Sequence, residues 1–168
     1  MKLSMYDASV PRLAQMLRNL DAILAKAAAH AAAKKIDPAV LLGARLFPDM
    51  LPMVKQVQIA TDHAKGAAAR LAGTEVPRYE DTEQSFDELR ARIARTIAFV
   101  ESFAPAQIEG SEGRPIALRV GGKDWSFDGR DYLLGFALPN FYFHLVTAYN
   151  ILRHNGVEIG KGDYLGNP

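Results

Sequence analysis

Four long segments of this 168-residue chain repeat apolar residues at steps of three and four, and this spacing constrains the fold more than any other feature. The spacing places the apolar side chains on one face of a helix. It predicts helices at about residues 9–34, 49–72, 85–103 and 140–155. Helices of this length cover their apolar faces by packing on one another, so we predict an all-α protein that folds as a four-helix bundle.

Residues that start and stop helices stand near the ends of these segments. Ser9 and Asn140 are predicted N-caps, since their side chains can accept a hydrogen bond from a free backbone N–H. Gly73 is predicted to end the second helix, because glycine readily adopts the left-handed conformation that closes helices. A short helix is predicted between Asp37 and Gly43. The links from the first to the second long helix and from the third to the fourth are long enough for crossover connections.

The helical period is lost between residues 104 and 139, where glycines and two short alternating runs replace it. The runs IALRV and KDWSF flank a Gly-Gly pair, which is the pattern of a β-hairpin with a two-residue turn. We predict a small hairpin packed against the bundle, with an irregular loop as the alternative. The glycine-rich tail, residues 156–168, is expected to lie across the surface, anchored by Asp163 and Tyr164. No internal repeat divides the chain, so residues 1–168 are predicted to form one domain.

Composition restricts the expected partners. The net charge is +1 and the basic residues alternate with acidic ones, so the basic stripe that nucleic acid requires is missing. The chain has no cysteine, which excludes disulfides, thiolate nucleophiles and thiolate metal sites and suits the cytoplasm. No apolar run is long enough to span a membrane, and Asp7 and Arg12 interrupt the region where a signal peptide would lie. We therefore predict a cytoplasmic protein without nucleic acid or membrane partners.

The chain ends in LPNFYFHLVTAYNILRHNGVEIGKGDYLG and begins with MYDASVPRLAQMLRNLDAILAKA after a few residues. Between them stand FPDMLPMVKQVQIATDHAKGAAARLAG and SFDELRARI. These stretches resemble the last, first, second and third helices of a family of bacterial and fungal proteins known as domain of unknown function 1993. That family is related to the DinB/YfiT-like four-helix bundles. The resemblance covers nearly the whole chain and implies the same bundle here, with the hairpin or loop inserted before the last helix.

The resemblance also implies a metal site. The wider DinB-like group is implied to bind a divalent metal through three histidines, one on the second helix and two on the last at positions i and i+4. His63 and His144 match the first two positions, but Ala148 occupies the third. His154 projects to a different side of the last helix, and Asp62 points about 100° away from His63. The ligand set is therefore incomplete.

Both histidines have a structural interpretation, as buried side chains bonded to a neighbour, and a functional one, as parts of a polar pocket. Trp125 either packs the hairpin onto the bundle or, with other aromatic residues, roofs a pocket that opens toward the histidines. The predicted pocket residues are His63, His144, Gln56, Trp125 and Tyr149, with His63 and His144 as the metal candidates.

Three functions are consistent with these residues. The leading hypothesis is a binding or stress-associated protein with a degenerate metal site and no cofactor, paired as a homodimer as DinB-like proteins commonly are. The first alternative is a metal-dependent enzyme of the thiol-transferase type, with zinc or nickel held by the two histidines and a further residue or water. The second alternative is a sensor that binds a small molecule between bundle and hairpin. Phe143 points away from its helix's core and is covered by the tail or hairpin, or marks a partner surface.

Overall fold

A computed structural model describes residues 4–166 of the chain as a helical bundle with one small β-hairpin. The helices are α1 (Met5–Ala8), α2 (Val10–Lys34), α3 (Pro38–Gly43), α4 (Met53–Ala72), α5 (Phe86–Glu101), α6 (Pro105–Ile108), α7 (Gly129–Asp131), α8 (Leu138–His154) and α9 (Lys161–Leu165). The strands are β1 (Ile116–Val120) and β2 (Lys123–Phe127). Four long helices, α2, α4, α5 and α8, form the bundle, which confirms the predicted fold class. The predicted domain also included residues 1–3 and 167–168, which lie outside the described residues.

The long helices are not arranged around the bundle in chain order. Helix α2 packs mainly against α5, α5 also packs against α4, and α4 packs against α8. Ion pairs of Arg18 with Glu101 and of Asp21 with Arg90 show that α2 and α5 run antiparallel. Helices α2 and α4, which are successive long helices along the chain, therefore lie diagonally across the core. Among the described residues, no helix is both long and apolar enough to cross a membrane.

The link at residues 73–85 makes the crossover. It runs back along α4, with the Tyr79 ring 4.8 Å from the Nζ of Lys65 and the Asp81 carboxylate 2.9 Å from the Nζ of Lys55. Helix α5 consequently starts beside the first half of α4 and runs parallel to it. The crossover therefore lies in the shortest of the three links between long helices, whereas link length had favoured the other two.

The core lies between the inward faces of the four helices. Helix α2 contributes branched side chains such as Leu13 and Leu17, both fully buried. Helix α4 contributes mainly alanines, and Ala60, Ala64 and Ala67 are fully buried. Because alanine has the smallest side chain that still favours a helix, neighbouring helices approach α4 closely. This close approach brings side chains of α4 and α8 into contact across the helix pair.

Ser9 is the N-cap residue of α2 as predicted, but its predicted capping bond and the predicted start of the last helix were wrong. The side chain of Ser9 makes no capping bond to α2, because its hydroxyl donates to carbonyls of the preceding short helix α1. Helix α8 begins at Leu138, not at Asn140, and continues directly from α7 through a π-helical turn. The side chain of Asn140 donates to the Phe136 carbonyl at 2.7 Å. Pro139 stands at the second position of α8, directly after the π-helical turn, and does not interrupt the helix.

The predicted hairpin is confirmed. The two strands pair antiparallel, with Leu118 opposite Trp125, and the turn between them consists of Gly121 and Gly122. The φ angles of the two glycines are 57° and 79°, values that residues other than glycine rarely adopt. Every second residue of a strand lies on the same face, and one face of the hairpin carries apolar side chains. Ile116, at the base of the hairpin, is buried against the bundle.

The predicted helix stop at Gly73 and the predicted tail are also confirmed. Gly73 closes α4 with a φ of 71°. The tail forms α9 and packs along α2, where the side chain of Asn19 donates to the Tyr164 carbonyl at 3.0 Å. The Asp163 carboxylate forms an ion pair with Lys26. Both predicted anchor residues therefore hold the tail on the bundle.

Candidate functional site

His63 on α4 and His144 on α8 lie together across the helix pair and form what we call the histidine pair. Their ring centroids are 5.8 Å apart and their planes are inclined by 13°, so the rings lie nearly parallel. Both side chains are half-buried. The antiparallel packing of α4 on α8 brings them together, although 81 residues separate them in sequence (144 − 63).

Gln56, one of the predicted pocket residues, orients His144. The Gln56 Nε2 donates to the Leu51 carbonyl at 3.0 Å, which leaves its Oε1 facing the Nδ1 of His144 at 2.7 Å. An amide oxygen only accepts hydrogen bonds, so this network assigns the proton of His144 to Nδ1. The Nε2 of His144 then carries the lone pair and is free to accept a proton or to bind an electrophile.

Burial keeps the histidine pair neutral. Loss of solvent is the main reason that the pKa of His63 is lowered from 6.5 to about 4. The charge of His144 lowers that pKa further, the Asp62 carboxylate opposes the shift, and the cations Arg70 and Lys65 add to it. Burial likewise lowers the pKa of His144. At neutral pH the site therefore presents two uncharged imidazoles.

An aromatic wall connects the histidine pair to the hairpin, and its central residue is Phe136. The Phe136 ring centroid lies 5.9 Å from that of His63 and 6.3 Å from that of Trp125. The Phe127 ring completes the contact with the hairpin, 5.5 Å from Phe136. Phe136 stands in the π-helical turn, residues 132–137, and such turns are frequent at functional sites.

Phe136 was not predicted as a site residue, because glycines and the loss of helical period favour an insertion rather than a helix at residues 104–139. Had the last helix been extended back through Pro139, Phe136 would have stood about two helical turns before His144. The sequence signal was therefore present, but the proline concealed it.

The remaining predicted pocket residues divide between two places. Trp125 reaches the wall through Phe136 and keeps 45% of its surface exposed. Tyr149 packs edge-to-face against Tyr164 of the tail, with ring centroids 6.0 Å apart. Five residues along a helix correspond to a rotation of about 140°, so Tyr149 lies on a different side of α8 from His144. The structure places it at the tail contact rather than at the histidine pair.

The residues around the histidine pair do not complete a three-ligand metal centre. Ala148 stands where the third histidine would lie, and Asp62 is engaged by Arg92 at 2.9 Å and by Lys65 at 2.8 Å. In the part of the chain that the structure describes, no group of three or more His, Asp or Glu residues could hold a metal ion. A catalytic zinc site normally has three protein ligands and one open position.

A DinB-like helical bundle is the class that this fold and its histidine pair define. The crystal structure of a DinB family member protein from Shewanella denitrificans matches it with a TM-score of 0.87 and 43% sequence identity, covering 97% of this chain and 92% of that chain. The chain belongs to the family described as Domain of unknown function (DUF1993), which matches residues 5–165. The search among curated proteins gave no match.

Proposed function

We propose that this protein binds a small molecule at the histidine pair, with Gln56 and the aromatic wall completing the site. The observation that carries this proposal is the assigned proton of His144, because it leaves the Nε2 lone pair in a half-buried place. Within residues 4–166 the histidine pair makes one hydrogen bond, the one between His144 and Gln56. Because the described residues do not close off the Nε2 of His144, a ligand that donates a hydrogen bond can reach it.

The surroundings favour a small aromatic ligand with an acidic proton, such as a phenol, an aromatic acid or an aromatic thiol. Its hydroxyl or thiol would donate to His144, and its ring would pack against Phe136 and Trp125. Aromatic rings prefer edge-to-face or offset contacts at centroid separations of about 4.5–7 Å, the range in which this wall is already arranged.

We also propose that the protein forms a homodimer through the surface beside the histidine pair. Phe143 is 55% exposed and lies edge-to-face on His144, with centroids 5.2 Å apart. Leu51, whose carbonyl holds Gln56, is 44% exposed, and Phe47 in the same loop is 64% exposed. Exposed aromatic and aliphatic residues that lie close together are typical of interfaces.

Thermal unfolding with phenol, benzoate and thiophenol as probes tests the binding proposal. A ligand that binds the folded protein raises the melting temperature by mass action. We expect a saturable rise for at least one probe, retained in His154→Ala and lost in His144→Ala. The His154 variant is the matched control, since that histidine is exposed at the end of α8. Equal rises in both variants would show that binding occurs elsewhere.

A metal-dependent enzyme of the thiol-transferase type is the second candidate. The neutral imidazoles favour it, as does Gln56, which holds His144 as an outer-shell partner would hold a metal ligand. Metal analysis of the purified protein, followed by zinc and nickel titration, separates the two functions. We expect no stoichiometric metal. A stoichiometric metal that disappears in His63→Ala would replace the binding proposal with the metal-dependent one.

A further inference from the structure

A cleft of about 360 Å³ lies between the C-terminal end of α4 and the start of the hairpin, and the histidine pair is not part of its lining. Two arginines line it, Arg70 from α4 and Arg114 from the segment before β1. The lining includes no aspartate or glutamate. The cleft therefore gathers two positive charges without a neutralising carboxylate.

Neither arginine has an acidic partner among residues 4–166. The Nη1 of Arg70 donates to the Tyr132 hydroxyl at 3.0 Å, and its guanidinium carbon lies 5.8 Å from the centre of that ring. The Nε of Arg114 is buried and has no hydrogen-bond partner among the described residues. Buried polar groups in folded proteins almost always have partners, so the Arg114 guanidinium keeps hydrogen-bonding capacity that the described residues leave unused.

One glycine in α4 and one directly after it make room for the guanidinium groups. A Cβ atom at Gly66 would overlap the Nη1 of Arg70, and one at Gly73 would overlap the Nη1 of Arg114. Gly73 has an independent reason to be glycine, because it ends the helix with a positive φ. Gly66 stands inside the helix, where glycine weakens the helix relative to alanine. The space that it leaves for Arg70 gives a physical reason for a glycine at this position.

The C-terminal end of a helix attracts cations by itself, which would account for one arginine near Gly73. It does not account for the unpartnered Nε of Arg114 or for a second guanidinium in the same cleft. A contrast within the molecule supports this distinction. Arg92, which is buried beside another groove, donates hydrogen bonds to the carboxylates of Glu83 and Asp62. These carboxylates neutralise its charge.

We propose that the cleft binds a small oxyanion, a carboxylate or phosphate group, between Arg70 and Arg114. Guanidinium groups present forked N–H donors that match the oxygen atoms of both groups. The ligand would accept from those guanidinium nitrogens of Arg70 and Arg114 that face the cleft. Tyr132 would hold Arg70 in place without itself touching the ligand.

Titration of the protein with inorganic phosphate and with acetate, at ionic strength held constant with chloride, tests this site. NMR of the arginine Nε–Hε signals follows Arg114 directly in the wild-type protein. We expect a saturable shift of that signal with at least one of the two anions. Phosphate selectivity would identify a phosphate ligand and acetate selectivity a carboxylate. Absence of a saturable shift with both anions would overturn the proposal.

Variants localise the effect. We expect Arg70→Gln and Arg114→Gln each to weaken anion binding by about tenfold or more, since each removes one charged donor. Gly66→Ala should also weaken it, because the added methyl group displaces the Arg70 guanidinium. The matched control is Arg119→Gln on β1, whose side chain is 72% exposed. An equal loss in that control would overturn the proposal, whereas unchanged binding in His144→Ala would show that the anion site is independent of the histidine pair.

Discussion

At the scale of single residues, the hydrogen bond between Gln56 and His144 determines the chemistry of the histidine pair. It assigns the proton of His144 to Nδ1 and leaves Nε2 as an acceptor. The Leu51 carbonyl sets the direction of the Gln56 amide. A backbone carbonyl thus determines which nitrogen of a histidine on another helix can bind a ligand.

Replacement of Gln56 by leucine tests this arrangement. We expect the Nδ1 tautomer of His144 to lose its preference, and the Leu51 carbonyl to lose its donor. The loss of these partly buried bonds should cost about 1–3 kcal/mol of the free energy of unfolding. Urea unfolding measures the cost and side-chain ¹⁵N NMR measures the tautomer. Gln84→Leu, at an exposed position, is the control, and an unchanged His144 tautomer in Gln56→Leu would contradict the assignment.

The low pKa of His63 predicts a pH dependence of stability. In the unfolded chain His63 takes up a proton near pH 6.5, whereas in the folded protein it does so only near pH 4. Protonation therefore favours the unfolded state, so the stability contributed by His63 is complete above pH 6.5 and is lost as the pH falls to 4. A shift of this size corresponds to at most about 3 kcal/mol.

Urea unfolding of the wild type and of His63→Gln between pH 7 and pH 4 measures this contribution. We expect the wild type to lose more of its free energy of unfolding than His63→Gln does as the pH falls. Both proteins carry the same carboxylates, which titrate in the same pH range. The difference between the two proteins therefore reports the contribution of His63. A constant difference, or an NMR titration of His63 centred near 6.5, would contradict the prediction.

At the scale of secondary-structure elements, the buried side chain of Arg92 joins α5, α4 and the link at residues 73–85. Its guanidinium donates to the Thr61 hydroxyl at 2.7 Å and to the Glu83 carboxylate at 3.1 Å. Burial by itself would raise the pKa of Glu83, but hydrogen bonds from Gln58 and Arg92 lower it below its usual value. These bonds hold the link against α4 and thereby determine where α5 begins.

Arg92→Met should destabilise the protein by about 3–5 kcal/mol, because it leaves carboxylates without their buried cationic partner. The additional change Glu83→Gln should restore part of this loss, since it removes one of those charges. Urea unfolding of both variants measures the effect. Arg130→Met removes an arginine that is 62% exposed and should have little effect. Similar losses in Arg92→Met and Arg130→Met would show that the network does not hold the link.

The hairpin is a second element whose position depends on one side chain. Phe136 contacts the hairpin on one side and the histidine pair on the other. Phe136→Ala should therefore loosen the hairpin and cost at most about 3 kcal/mol, since the ring is only half-buried. Hydrogen exchange should accelerate in β1 and β2 and remain slow in α2. Leu134→Ala, at an exposed residue of the same π-helical turn, is the control, and unchanged exchange in Phe136→Ala would contradict the role of the wall.

At the scale of the whole molecule, the proposed dimer depends on exposed apolar side chains on one side of the bundle. We expect sedimentation to show a dimer for the wild type and a monomer for Phe143→Glu at the same concentration. A charge at the centre of an apolar interface loses its water without gaining a partner, which opposes association. Leu165→Glu, on the tail helix, should remain dimeric. A monomeric wild type at all concentrations would contradict the proposal.

Much of the fold could be predicted from local patterns. The stripes of α2, α4 and α5, the stop at Gly73 and the hairpin strands each depend on residues close together in sequence. The start of α8 could not be predicted, because a proline in a helical pattern usually marks a boundary, whereas here the helix continues through it from the π-helical turn. The place of Tyr149 was missed because its identity alone does not tell which neighbour covers it.

Sequence alone is enough to predict the apolar faces of α2, α4 and α5 and the residues that turn the hairpin. These features follow from periodicity, backbone preference and residue identity, which act over a few residues. Only the tertiary structure decided the order of the helices, the proton position of His144 and the pairing of Arg70 with Arg114 in one cleft. These depend on contacts between distant residues, such as Gln56 and His144, which are 88 positions apart, and no local pattern specifies them.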